Sequence, residues 1–186
     1  MYRDNSLIPS EAIRLAALGS MARGPRHYAE IAAEVRHFIG HLVGPSLDLL
    51  GSSIELLRFE GLTEPVTGAP ACDNPLLRLT AQGKATLHQL LTAGLRPQVN
   101  DMNKLVMALK LRFFHLLSRD ERLAQADMIE DVFRGEIARL TSLRSDRLAE
   151  DGMLRPWLDL EIAQAEARLE WCRRTLAEAI EAAEPA

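Results

Sequence analysis

The 186-residue chain is poor in several features that would point directly to a function. It has two cysteines, Cys72 and Cys172, a hundred positions apart. That excludes a disulfide framework or a cysteine metal site, which need clustered thiols. Aromatic residues make up only 5%. No apolar run approaches the roughly 18 residues that a membrane span requires. The N-terminal MYRDNSLIPS lacks the basic start and apolar core of a leader, so a cytoplasmic protein without membrane contact is expected. No serine or cysteine stands with a histidine and an acid in a nucleophile motif, so neither enzymatic activity nor a cofactor is expected. A basic excess is missing too. The net charge is -4, with nine Lys/Arg against nine Asp/Glu in residues 1–96 and thirteen against seventeen beyond. Nucleic-acid binders usually show a basic patch, and here it is not visible in the totals.

What the chain does have is 47% apolar residues, rich in Leu and Ala, which favours helix. The stretch from Leu47 to Leu79 organises the rest. Leu47, Leu50, Ile54 and Leu57 recur at three- and four-residue intervals, one apolar helix face. Ser46 after Gly44-Pro45 suits the N-cap, and Gly61 suits the C-terminal stop. Leu62 to Val66 and Leu76 to Leu79 read as short strands. Between them TGAPACDNP (Thr67 to Pro75) is turn chemistry. Upstream, Leu7 to Arg23 reads as a helix with Pro9 in its first turn and Ile13, Ala17 and Met21 inward. A second helix starts near Arg26, turns Tyr28, Ile31, Val35 and Phe38 inward, and closes at Gly40. Thr80 caps a helix from Ala81 to Ala93. The order helix, helix, helix, strand, loop, strand is that of a winged helix-turn-helix over residues 1–96.

Residues 97–186 read as all helix: Asp101 to Leu117, then a helix capped by Ser118 running to about Arg144, a polar connector, and a last helix after Pro156. In that last helix Leu158, Ile162, Ala165, Leu169, Cys172, Leu176 and Ile180 form a heptad-like seam. A helical hairpin leaves such a stripe partly uncovered on this reading, so a second copy of the chain is the expected cover.

The segments LIPSEAIRLAALGSMARGPRHYAEI (Leu7 to Ile31), IELLRFEGL (Ile54 to Leu62), LRLTAQGKATL (Leu77 to Leu87), KLRFFHLLSRDERL (Lys110 to Leu123) and WLDLEIAQAEARLEW (Trp157 to Trp171) resemble, in this order, the PadR family of transcriptional regulators. The last two resemble the dimerisation domain of its longer, virulence-activator type. The resemblance implies a mostly α protein: a winged helix-turn-helix of three helices and a two-stranded wing, followed by an α-helical dimerisation domain. It also implies a homodimeric repressor that binds double-stranded DNA and responds to a small hydrophobic or phenolic effector. Three departures stand out. The His-Gly-Tyr opening of helix two is Arg26-His27-Tyr28 here. Gly51 replaces a tyrosine near the start of the central helix. The wing, normally basic, has no Lys or Arg from Thr63 to Leu77.

On this reading the candidate DNA contacts are Ser46, Ser52 and Arg58 of the central helix. Arg58 is the one outward residue there able to grip guanine bidentately, while Asp48 and Glu55 would repel phosphates. Arg26, His27, Arg36, Arg78 and Lys84 are the candidate backbone contacts, each equally at home as a solvated surface charge, and Tyr28 is a further candidate DNA contact. Leu158, Ile162, Ala165, Leu169, Cys172 and Leu176 are the candidate dimer contacts. Phe113, Phe114, His115, Arg155 and Trp157 are the candidate lining of an effector pocket, though such residues at helical spacing more often form ordinary core. His37 and His41 share a spacing used by zinc sites, but Gly40 interrupts them and no further ligand completes the set, so no metal is expected. The acidic central helix and uncharged wing keep a second function open, a winged-helix interaction module without DNA binding.

Overall fold

Helix α1 (Pro9–Ser20) begins where the sequence places Pro9, and its first turn is closed by the Glu11 carboxylate accepting from the Ile8 amide at 2.9 Å. This is seen in a computed structural model, which describes residues 7–44, 50–66, 74–149 and 152–182. Ala12, Ile13, Leu15, Ala16, Ala17 and Leu18 are all fully buried. α1 is therefore apolar on almost every side rather than along one stripe, and a helix of that kind belongs at the centre of a core. It packs against α2 (Tyr28–Val43), α3 (Leu50–Phe59) and α4 (Ala81–Thr92).

Between α1 and α2 the chain forms a two-residue strand, β1 (Arg26–His27), that the sequence reading did not anticipate. It pairs antiparallel with β3 (Leu76–Leu79), which also pairs antiparallel with β2 (Thr63–Pro65), giving the order β1-β3-β2. α2 does not close at Gly40. It runs to Val43, and Gly44 at φ +85° ends it. A helical glycine costs only about 1 kcal/mol, so residue type alone did not stop the helix. The buried face is Ile31, Val35 and Ile39, with Phe38 half-buried.

Ile54 and Leu57 are buried from α3, as their spacing predicts. Gly61 sits at φ +70°, and the Leu62 amide returns to the Leu57 carbonyl at 2.8 Å. Leu47, the proposed Ser46 cap and most of the wing loop lie outside the described residues. Thr80 caps α4, its hydroxyl accepting from the Gly83 amide at 3.0 Å. Gly83 has to be glycine: a Cβ there would lie 2.0 Å from the Leu62 carbonyl oxygen, so α4 rests directly on the backbone entering β2.

The chain divides into two units, Met1–Ala93 with Lys104–Leu116, and Gly94–Asn103 with Leu117–Ala186. Helix α5 (Asp101–Arg112) gives way at Phe113 to a short 3-10 turn, Phe114–Leu116, rather than continuing to Leu117. From Lys104 onward its residues belong with the winged-helix unit, beyond the expected boundary at residue 96. Lys110 Nζ donates to the Leu91 and Ala93 carbonyls at 2.6 Å each, and Phe113 packs on Gly19.

In the second unit, Ser118 and Glu121 close a capping box on α6 (Arg119–Arg144). α7 (Leu154–Trp171) starts two residues before Pro156, which is tolerated because a first-turn amide has no helical partner. It passes through a widened π turn, Cys172–Leu176, into α8 (Ala177–Glu181). Ion pairs Arg144–Asp159 and Arg173–Glu130 set α7 antiparallel to α6. This corrects the expected seam. Leu158, Ala165, Leu169, Cys172, Leu176 and Ile180 are already buried in a single chain, with Ile162 half-buried. α6 presents Ile129, Val132 and Phe133 as buried apolar residues of the same unit, so the stripe needs no second copy to leave water.

Candidate nucleic-acid interface

α3 is held by its buried Ile54 and Leu57, which leaves Glu55, Leu56, Arg58 and Phe59 outward. Phe59 is 79% exposed and Leu56 46%. Tyr28, Glu55, Arg58, Phe59 and Pro75 line a groove of about 210 Å³ beside the helix. Burial first, and then the Glu55 charge, push the Tyr28 phenol above its ordinary range, against a smaller effect of Arg36. Tyr28, Glu55 and Arg36 are therefore electrostatic neighbours. Arg58 has no ion-pair partner among the described residues. Ser46 lies outside those residues, and Ser52 falls on α3 where side chains are not described.

The remaining candidates divide by what holds them. Arg26 is bound to Glu34 and approaches Glu30 at 3.7 Å. Arg78 pairs with Glu64 at 2.8 Å, directly across the β2–β3 ladder. A phosphate would have to displace a carboxylate at either site. Arg36 and Lys84 are exposed and make no ion pair among the described residues. His27 Nδ1 lies 3.1 Å from the Asn74 carbonyl oxygen, and the Asn74 side chain accepts from the Ala29 amide at 2.8 Å. Asn74 thus caps α2 from the wing side, a role its place in a turn-rich run did not single out. The helix continues through Gly40, so His37 and His41 stand with rings 4.1 Å apart, and His41 Nδ1 bonds the His37 carbonyl at 2.8 Å. Among the described residues no three His, Cys, Asp or Glu converge as metal ligands.

The expected effector residues are drawn from both units. Phe113 and His115 line a cavity of the first unit with Arg23, Arg26, Glu34 and Arg112. Phe114 is buried in the same unit, while Arg155 and Trp157 are exposed residues of the second. Arg112 and Glu34 were not among the candidates. Their hydrogen bond spans 78 positions, and no local pattern marks such a pair.

The family described as "Putative AphA-like transcriptional regulator" matches residues 2–176. No curated protein matches the chain. Among solved structures, the chain is similar to PadR of Bacillus subtilis in complex with operator DNA, at 18% identity over 92% of this chain and 99% of that one, with a TM-score of 0.39. It is similar to the same regulator in complex with p-coumaric acid, at 18% identity over 95% and 99%, TM-score 0.39. A PadR-like transcriptional regulator from Bacillus cereus gives 17% identity over 89% and 94%, TM-score 0.38. At these scores the winged-helix assignment rests on the chain's own elements. Among the described residues no helix is long and apolar enough to cross a membrane.

Proposed function

Because the chain belongs to the AphA-like family of transcriptional regulators, which are not enzymes, we propose that it is a dimeric DNA-binding repressor of the virulence-activator type, switched by a small molecule. The observation that carries the reading is the family match over residues 2–176. The element order of the first unit is consistent with it. In this account α3 enters the major groove and Arg58 grips guanine there. Arg36 and Lys84, not committed to carboxylates, hold phosphates. With so few phosphate contacts, affinity falls only moderately with salt.

The dimer rests on a different face from the one the heptad reading chose. Met153, Trp157, Leu160 and Trp171 are 76%, 51%, 55% and 42% exposed. Together with Gln164 and Ala167 they recur at alternating intervals of four and three along α7, which is itself a coiled-coil repeat. A second copy covering this stripe would remove large aromatic area from water, the kind of residue that anchors interfaces. The effector is assigned to the first-unit cavity that Phe113 and His115 line.

The interaction-module alternative is favoured by one observation, the exposed Phe59 and Leu56 beside the α3 groove. Genomic pull-down with sequencing separates the two. Recovery of a pseudo-palindromic site with half-sites about one helical turn apart supports the regulator. Recovery of no enriched DNA, with the chain folded and dimeric, contradicts it.

A further inference from the structure

The cavity lined by Phe113 and His115 has the chemistry of an anion site. Its volume of about 360 Å³ lies toward the small end of ligand pockets. Three guanidiniums reach it from three places: Arg23 after α1, Arg26 on β1 and Arg112 at the end of α5. One carboxylate, Glu34 of α2, stands between the last two. Burial pushes the Glu34 carboxyl up, but the hydrogen bonds from Arg26 and Arg112 outweigh this and hold it below the ordinary carboxylate range. The lining holds three cations and one anion; Glu30 also approaches Arg26 at 3.7 Å, so the cavity keeps at least one uncompensated positive charge, on Arg23.

Arg112 is held in position before any ligand arrives. Its Cζ lies 5.0 Å from the Phe38 ring centroid and 5.1 Å from that of Phe113. Stacking of this kind fixes the guanidinium plane. The Phe113 ring can lie there only because residue 19 is glycine, since a Cβ would sit 2.3 Å from it. Nη2 of Arg112 serves Glu34, while its other N–H groups, like those of Arg23, have no partner among the described residues. The carboxyl end of α1 would oppose an anion, but several carbonyls at and just beyond it already accept hydrogen bonds. Leu18, Gly19 and Met21 accept from the amides of Met21, Ala22 and Gly24 at 3.1 Å each.

We infer that this cavity binds a phosphomonoester carried by a small molecule. A phosphomonoester near neutral pH carries about -1.5 to -2 charges, enough to engage Arg23 and Arg112 together and to draw Arg26 from its carboxylates, which a singly charged carboxylate does less well. Arginine forks also fit phosphate oxygens bidentately. A ligand must compete with Glu34 for the same donors, which favours the more highly charged anion. Arg26 lies on β1, which pairs with the wing strand β3, so drawing Arg26 from Glu34 acts on the sheet that carries the wing. The inference deepens the proposed effector control, but the site is measurable without DNA.

The test is calorimetric titration of the full chain with phenyl phosphate, benzoate and dimethyl phosphate. Phenyl phosphate is expected to bind, with the two monoanions weaker by about tenfold or more. Arg112→Gln should abolish the heat while circular dichroism stays unchanged. Because that change also removes a partner of Glu34, Glu34→Gln is the second variant. It deletes the internal competitor and should tighten phenyl phosphate by about tenfold. Benzoate binding as tightly, weaker phenyl phosphate binding in Glu34→Gln, or no heat from any ligand overturns the site. Dimethyl phosphate binding as tightly overturns the small-molecule assignment and points to a DNA-backbone phosphate. A chain that binds operator but not phenyl phosphate loses only the site. One that binds phenyl phosphate but no DNA loses only the regulator reading.

Discussion

Lys110 buries an ammonium where α4 ends. Its side chain is fully buried and its Nζ serves the carbonyls of Leu91 and Ala93, two of the acceptors that a helix end leaves open. Burial pulls its pKa from 10.5 down to about 7. Between those values the unfolded chain holds the proton and the folded chain releases it, so stability rises with pH across that window. Below pH 7 both states are charged and the penalty is complete. Urea unfolding should show the wild type gaining about 2 kcal/mol from pH 7 to pH 9 relative to Lys110→Met, which lacks the group. Parallel pH profiles for the two proteins would show that Lys110 does not titrate in this range. At this scale the sequence was partly legible. Arg58 and Lys84 are outward as their helical positions imply. Lys110 reads as a surface lysine beside Leu109, and Glu34 reads as one of many helical acids. What makes each unusual is a partner far away in the chain, and spacing carries no information about that.

At the scale of elements, the apolar stripe of α7 was read correctly as buried but given the wrong cover. Nothing in the seam says whether α6 or another chain fills it. Only the placement of Ile129, Val132 and Phe133 in the same unit decides that. The π turn at Cys172–Leu176 falls where the seam changes from alternating intervals of four and three to two successive fours, so the irregular spacing was a sign of it. A wider turn holds more residues per revolution. β1 escaped notice because two residues have no periodicity, and α2 outran Gly40 because one glycine is a weak stop. Two substitutions separate the faces of α7. Leu169→Asp puts a charge inside the hairpin, costing several kcal/mol, and should lower helicity and the melting temperature. Leu160→Asp lies on the exposed stripe and should leave helicity intact while converting the proposed dimer to monomer in sedimentation. If Leu160→Asp leaves the oligomeric state unchanged, the outer stripe is not the interface.

For the molecule as a whole, the fold class and the role of transcriptional regulator were legible because five segments in order outweigh any one motif, while the virulence-activator type stays a proposal. The interface was less so. The totals show no basic excess, and the structure adds that Arg26 and Arg78 are committed to carboxylates. On the proposed reading, DNA recognition then falls on a few cations, chiefly Arg58 at the bases with Arg36 and Lys84 at the backbone. The most direct test is fluorescence anisotropy of wild type and Arg58→Ala on a selected operator and on scrambled duplex. The account predicts that the substitution costs on the order of 1–3 kcal/mol on the operator and relaxes preference at one base position, with little change on scrambled DNA. Equal operator affinity for the two proteins, or no binding of any duplex by the wild type at low salt, would contradict it.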